Sequence, residues 1–195
     1  EILEKFTDSE DVCMLLTSEK ISCALVTTHI GLHEVADVLT EEKILKVIQL
    51  TDGAMSGILE RPPKIGVLGL NPHCGESGLF GRNEESRIIE PAIKKAVQLG
   101  LNVDGPLSPD TAFVSGNLET YDAFVCMYHD QGLIPLKMLA FDSAVNVTLG
   151  LPIIRTSVDH GTALDIAWKG VAKSSSLIES ILLASLMCRS QLNSE

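Results

Sequence analysis

The stretch YDAFVCMYHDQG, residues 121–132, carries an apolar run, Ala123 to Tyr128, straight into His129, Asp130 and Gln131 and then stops at Gly132. A short apolar run with β-branched and aromatic members between polar flanks reads as a buried strand. Three polar side chains at its carboxyl end are costly to hold there unless they are satisfied or bind something. Working outward, DVCMLLTS (11–18), KISCALVTTH (20–29) and KIGVLGLN (64–71) read as further strands, as do AVNVTLG (144–150) and IIRTSV (153–158). TEEKILKVIQLTDGAMSGILE (40–60) and EESRIIEPAIKKAVQLG (84–100) have helical spacing, and Pro91 must sit in the first turns of the second or kink it. SSSLIESILLASLMCRS (174–190) is a helix that Ser176 and Glu179 open as a capping box. GLIPLKMLA (132–140) is a short helix interrupted at Pro135, and VDGPLSPDT (103–111) is loop. Strands alternating with helices specify an α/β layered sheet with helices on both faces. In such sheets ligands gather outside the carboxyl ends of the strands.

The composition narrows the function. A net charge of −11 argues against nucleic acid or an anionic membrane as partner, since backbone phosphates require clustered Lys and Arg. A small phosphorylated ligand needs only two or three local cations and stays open. Five scattered cysteines without a CxxC pattern indicate buried thiols in a reducing compartment, hence a cytoplasmic protein. No apolar run approaches the ~20 residues of a membrane span. The start, EILEKFTDSEDVCMLL, has no initiator Met and no signal peptide and reads as mid-domain sequence, so the chain is expected to be a piece of a longer protein.

Three of the five histidines close strand-like runs: His29 in LVTTHIGL, His73 in GLNPHCGE and His129 in CMYHDQG. They lie too far apart in sequence for a short metal motif, but three strand ends of one sheet can bring three imidazoles together. Three neutral imidazoles are a common donor set for a catalytic zinc with an open fourth position. The competing account is that each caps a loop. Cys74 could add a fourth ligand, although a small buried thiol is the simpler reading; His33 reads as surface. Glycines 75, 78 and 81 around Glu76 allow a close backbone approach to a ligand. Lys137, Asn146 and Arg155 could cradle a phosphate or carboxylate, Arg155 in bidentate fashion. Asp110 in SPDTAF could act as a base or hold a substrate amine, or simply cap a turn. SVDHGTALDIAWKGVA (157–172) offers donors and acceptors on a loop before a helix.

NPHCGE, PDTAF, YHDQGLIPLK and VNVTLGLPIIRTSVDHGTALDIA together closely resemble the 4-hydroxythreonine-4-phosphate dehydrogenases of pyridoxal phosphate (vitamin B6) biosynthesis, over nearly the whole chain. HGTALDIAxKG is also similar to the cofactor loop of isopropylmalate and isocitrate dehydrogenases, which implies an isocitrate/isopropylmalate dehydrogenase-like fold with its N-terminal part missing. The resemblance implies NAD(P)-dependent oxidation and decarboxylation of 4-phosphooxy-threonine to 3-amino-2-oxopropyl phosphate. It implies His29, His73 and His129 as ligands of a divalent metal, zinc ahead of Mg²⁺, Mn²⁺ or Co²⁺. It further implies Lys137, Asn146 and Arg155 at the substrate, Asp110 and Lys137 near the reacting centre, and His160, Gly161, Thr162, Ala163 and Asp165 near NAD or NADP. The family shares each active site across a homodimer. On this reading residues 1–105 form mainly a dimerisation and metal-binding lobe. Residues 106–195 form a metal- and substrate-binding segment returning to the cofactor lobe, and some apolar surface is left exposed.

Three departures qualify the resemblance. Family members are much longer, and their additional N-terminal part carries a His-Thr pair that contacts substrate. Trp168 stands where the related dehydrogenases have Gly, and GLHEV replaces Pro-Leu-Arg after His29, removing a cation. A paralogue oxidising another phosphorylated hydroxy acid, such as 4-phosphoerythronate, is one alternative. A non-catalytic metal-binding dimeric remnant is another, and a metal-dependent hydrolase a third, which leaves the HGTALDIA loop without a purpose.

Overall fold

The computed structural model describes residues 2–9, 11–158 and 161–192. A seven-stranded sheet forms the frame, with β1 (Cys13–Thr17), β2 (Ser22–Leu25), β3 (Ile65–Leu68), β4 (Val103–Leu107), β5 (Ala123–Cys126), β6 (Val145–Leu149) and β7 (Arg155–Val158). Their order across the sheet is β4-β3-β5-β2-β1-β6-β7. β4, β3, β5 and β2 are mutually parallel, while β1 and β7 run against their neighbours. β2, β3, β4, β5 and β6 therefore share one direction and one carboxyl edge. Strands from either side of residue 105 interleave in this single sheet.

The helices are α1 (Ile2–Thr7), α2 (Val35–Val38), α3 (Glu41–Leu59), α4 (Glu90–Gln98), α5 (Ser115–Thr120), α6 (His129–Ala140) and α7 (Ser175–Leu192). On one sheet face Ile44, Val47, Ile48 and Met55 of α3 and Ala92, Ile93 and Ala96 of α4 pack on Leu15, Ala24, Val67, Val125 and Val147. On the other, Leu133 and Leu136 of α6 pack on Leu16, Cys23, Leu25, Phe124 and Cys126. The parity of each strand thus divides its side chains between two apolar layers. Leu177, Ile178, Ile181 and Leu182 of α7 are each more than half exposed, the uncovered apolar surface that the sequence led us to expect. Among the described residues no helix is long and apolar enough to cross a membrane.

Three local readings change. VDGPL is a strand, β4, because an edge position tolerates Gly105 and Pro106: the outer side of the strand has no ladder bond to lose. α6 runs unbroken through Pro135, and it begins at His129 itself after an extended Tyr128. Ser176 lies inside α7 rather than at its cap; its Oγ donates to the carbonyl of Ala144 and docks the helix on β6. Pro91 does fall in the first turn of α4, behind a π-helical turn at Glu85–Ile89.

The amino edge is tied by Asp122. Its carboxylate accepts two bonds from Arg61 (2.6 and 2.9 Å) and one from the Lys64 N–H (2.7 Å), joining the entries to β3 and β5. The Arg61 bonds hold its pKa below the usual carboxylate value, outweighing burial, with help from the Lys64 N–H. A depressed folded-state pKa adds stability that is present above the unfolded pKa and lost as pH falls through the folded one. Asp122→Asn is therefore expected to cost about 1 kcal/mol at neutral pH, discounting the solvent-screened Arg61. The difference in melting temperature from wild type should shrink below about pH 4, where the carboxyl of the unfolded chain begins to protonate, and vanish as pH falls through the lower folded-state pKa. A pH-independent difference would show that the ion pair is not its cause.

Candidate metal and anion site at the carboxyl edge of the sheet

His29, His73 and His129 follow β2, β3 and β5, three adjacent parallel strands, so the sequence placed all three at one edge. The structure brings only two of them together. The His29 and His129 rings lie 5.6 Å apart between centroids and are tilted by 45°. His129 Nδ1 is 2.6 Å from Asp130 Oδ1. A carboxylate on Nδ1 favours the tautomer that carries its proton there and leaves the Nε2 lone pair free to ligate a metal. His73 instead sits beside Phe80, with its Nδ1 4.0 Å from Asp110 Oδ2. Among the described residues no group of three or more His, Cys, Asp or Glu side chains is placed to hold a metal. The expected convergence of three imidazoles therefore fails within one chain.

The cause is local. Residues His73 to Gly78 all have positive φ, so the segment winds left-handed although four of its six members carry a side chain other than glycine's hydrogen and Cβ-bearing residues resist this region. Buried carboxylates hold it. Glu85, 3% exposed, accepts from the N–H groups of Leu70 (3.0 Å) and Asn71 (2.7 Å) and from Asn71 Nδ2. Glu84 accepts from Asn71 Nδ2 and the Arg82 N–H. Burial opposes its charge, but these bonds outweigh it and lower its pKa. Gly75 is required here: its φ is 76°, and a Cβ would come within 2.7 Å of Glu85 Oε2. Cys74 is held as a thiol. Its Sγ donates to the Pro106 carbonyl at 3.3 Å, and burial raises its pKa.

The anion side of the site assembles better. Antiparallel pairing sets Asn146 opposite Leu16, and Thr148 opposite both Met14 and Arg155, which puts Asn146, Thr148 and Arg155 on the α6 face of the sheet. Arg155 Nη1 donates to Thr148 Oγ1 at 3.2 Å and reaches Asn146 Oδ1 at 3.5 Å. His29, Asn146, Thr148 and Arg155 line one cleft of about 1160 Å³, together with Lys43 and Lys46 of α3. The lining also carries Glu4, Asp11 and Glu42, and Lys46 Nζ lies 3.2 Å from Asp11 Oδ2, so the charge of the cradle itself is that of Arg155. Lys137 lies outside that lining, exposed and about two turns along α6 from His129. Asp110, on the turn after β4, accepts from Ser108 Oγ at 2.6 Å, which lowers its pKa and makes it a weak base.

Gly161, Thr162, Ala163 and Asp165 form an exposed turn leading through a short 3-10 segment; His160 lies outside the described residues. Trp168, in the same loop, is fully exposed at φ 64°, a conformation natural to the Gly that related dehydrogenases carry there. Trp168→Gly is expected to stabilise the chain by about 0.5–1 kcal/mol, measured by urea unfolding. A loss of stability would mean that the indole makes a contact worth more than the strain.

The sequence alone missed Thr148, Asn71 and Glu85. Thr148 alternates with Asn146 on β6, a signal that was available. The burial of Glu84 and Glu85 was not, since NEE before a helix ordinarily reads as a solvated first turn.

Comparison with known proteins places this geometry. The family described as pyridoxal phosphate biosynthetic protein PdxA matches residues 1–184. The chain is 51% identical over 189 residues to 4-hydroxythreonine-4-phosphate dehydrogenase of Geobacter metallireducens, covering 97% of this chain and 56% of the relative. It is 49% identical over 184 residues to D-threonate 4-phosphate dehydrogenase of Salmonella typhimurium, covering 94% and 56%. The crystal structure of 4-hydroxythreonine-4-phosphate dehydrogenase from Klebsiella pneumoniae superposes with a TM-score of 0.83 at 47% identity, covering 95% of this chain and 57% of that one. The chain thus spans a little over half the length of these relatives.

Proposed function

Because the chain belongs to the PdxA family of pyridoxal phosphate biosynthetic proteins, we propose that it forms the metal- and substrate-binding part of an NAD(P)-dependent dehydrogenase. Its substrate on this reading is 4-phosphooxy-threonine, oxidised and decarboxylated to 3-amino-2-oxopropyl phosphate. The observation that carries the proposal is one cleft holding His29, half of an imidazole pair, together with the Arg155–Asn146–Thr148 cradle.

The residues divide the work. Arg155, steadied by Thr148 and Asn146, presents a planar cation for a phosphate or carboxylate, and Lys137 adds a second positive charge. His29 and His129 would hold a divalent metal, zinc ahead of Mg²⁺, Mn²⁺ or Co²⁺, as two imidazoles beside an orienting carboxylate suit zinc. His73 of a second copy would complete the donor set across a homodimer, while Asp110 holds its ring. When bound, the metal would supply a Lewis acid for the substrate's secondary alcohol and for the ketone formed from it, and the nicotinamide would supply the hydride acceptor. Gly161, Thr162, Ala163 and Asp165, with His160 before them, would face NAD or NADP. The five free cysteines suit a reducing cytoplasm.

A second reading, oxidation of a phosphorylated aldonate such as D-threonate 4-phosphate or 4-phosphoerythronate, is favoured by relatives of that specificity at nearly equal identity. The cradle serves either substrate, since both offer a phosphate and a carboxylate. Steady-state reduction of NAD⁺ and NADP⁺ with each substrate, using a polypeptide of the relatives' full length that contains this chain, decides between them. Turnover abolished in Arg155→Ala and His129→Ala supports the site; wild-type turnover in both variants overturns it.

A further inference from the structure

We infer that Gln131 is a positioning residue that sets the spacing between the element carrying His129 and the element carrying His73; this rests on the metal site proposed above. The regular β3–β5 ladder ends at Val67 opposite Val125, so its next step would set Gly69 opposite Met127. Gln131 enters there instead. Its Oε1 accepts from the Met127 N–H at 2.6 Å and its Nε2 donates to the Gly69 carbonyl at 2.8 Å. The side-chain amide stands in for the direct strand-to-strand bond and holds the two chains a side chain's width apart.

The bridge is anchored on both sides. The Met127 carbonyl accepts from the N–H (3.2 Å) and the Oγ1 (2.7 Å) of Thr27, two residues before His29. On the far side the peptide joining Gly69 to Leu70 is gripped at both ends, its carbonyl by Gln131 and its N–H by Glu85. One continuous hydrogen-bonded line therefore crosses the ends of β2, β5 and β3, and each of the three segments it ties runs on into a histidine. Gln131 is 7% exposed and Glu85 3%, so water cannot easily replace either bond. The Gln131 amide bonds to Met127 and Gly69 rather than to an imidazole. Its effect on the histidines is by placement of backbone alone, and Gly132 lets it lie this close, since a Cβ there would come within 2.9 Å of Cys126 Sγ.

The test is metal affinity and the visible spectrum of the Co²⁺-loaded chain, for wild type, Gln131→Met and Glu85→Gln, with melting temperatures recorded alongside. Methionine keeps the volume and loses both bonds; Gln at position 85 keeps an acceptor for Leu70 and loses the charge. A fall in zinc affinity of about 10- to 100-fold in Gln131→Met, a changed Co²⁺ spectrum, and a smaller fall in Glu85→Gln are expected. Both variants folded with wild-type affinity and spectrum would overturn the inference while leaving the metal site standing. If Gln131→Met does not fold, Gln131→Asn, which keeps the amide but shortens the bridge by one methylene, decides, an unchanged affinity and spectrum counting against. A folded wild type that binds neither zinc nor Co²⁺ brings down the metal site first and this inference with it.

Discussion

Phe124→Ala is expected to lower the unfolding free energy by about 3–5 kcal/mol, the cost of emptying a large aromatic site that cannot collapse. Phe124 is 1% exposed at the middle of β5. Its ring lies 5.0 Å from that of Phe113 and 5.7 Å from that of Tyr121, and it shares a cluster with Leu16, Leu25, Leu68, Leu133 and Leu136. Those neighbours come from both adjacent strands and from the α6 side, so no single element can shift to fill the gap. Domains of this size are stable by about 5–15 kcal/mol, so the variant should be close to its unfolding threshold. Phe124→Leu, which keeps most of the volume, should cost about 1.5 kcal/mol or less. Urea midpoints with unchanged slopes measure both. A loss under about 1 kcal/mol for alanine would mean that the layer under α6 repacks, contrary to the close packing expected of such an interior.

The same strand shows what a sequence discloses. Ala123 to Met127 are apolar in unbroken succession because β5 is buried on both faces, and that pattern alone announced a buried strand. α3 was legible from Ile44, Ile48 and Met55, and β6 and β7 as short β-branched runs, β6 with an alternation of buried and half-buried positions. β4 was not: Gly105 and Pro106 argue against a strand unless it is known to lie at an edge, which is a tertiary fact. His29, His73 and His129 were legible as strand-end groups because each ends an apolar run. Which two of them meet depends on the hand of the turn at 73–78, and there local preference misleads. His73, Cys74, Glu76 and Ser77 would each avoid positive φ in isolation. The conformation holds because Glu85, twelve residues beyond His73, is buried against Leu70 and Asn71, and burial of an acid has no sequence signature. Gln131 was legible as a polar group at a strand end that needs partners, but that those partners are Met127 and Gly69 is a tertiary fact.

That division of the histidines gives the sharpest expected result. His73→Ala and His129→Ala chains, each refolded alone, should bind zinc at least about 100-fold more weakly than wild type, since a zinc site of four ligands carries roughly 10–16 kcal/mol and each ligand a share near 3. Refolded together in equal amounts, they should regain about a quarter of the wild-type zinc capacity. Half of the dimers in a random mixture are mixed, and in each of those one of two symmetric sites is whole. That site takes His29 and His129 from the His73→Ala chain and His73 from its partner. The recovery follows from the geometry: the His29–His129 pair, 5.6 Å apart, belongs to one chain, and His73 is turned away from it toward Phe80 and Asp110. Were all three imidazoles to serve within one chain, every chain in the mixture would lack a ligand and no mixing could restore binding. A mixture that stays at the level of the separate mutants, with dimer present, therefore rules out the shared site, and a wild type that binds about one zinc as a monomer does so equally. The control is His29→Ala mixed with His129→Ala. Both lesions fall in the same half of the site, and mixing them should recover nothing.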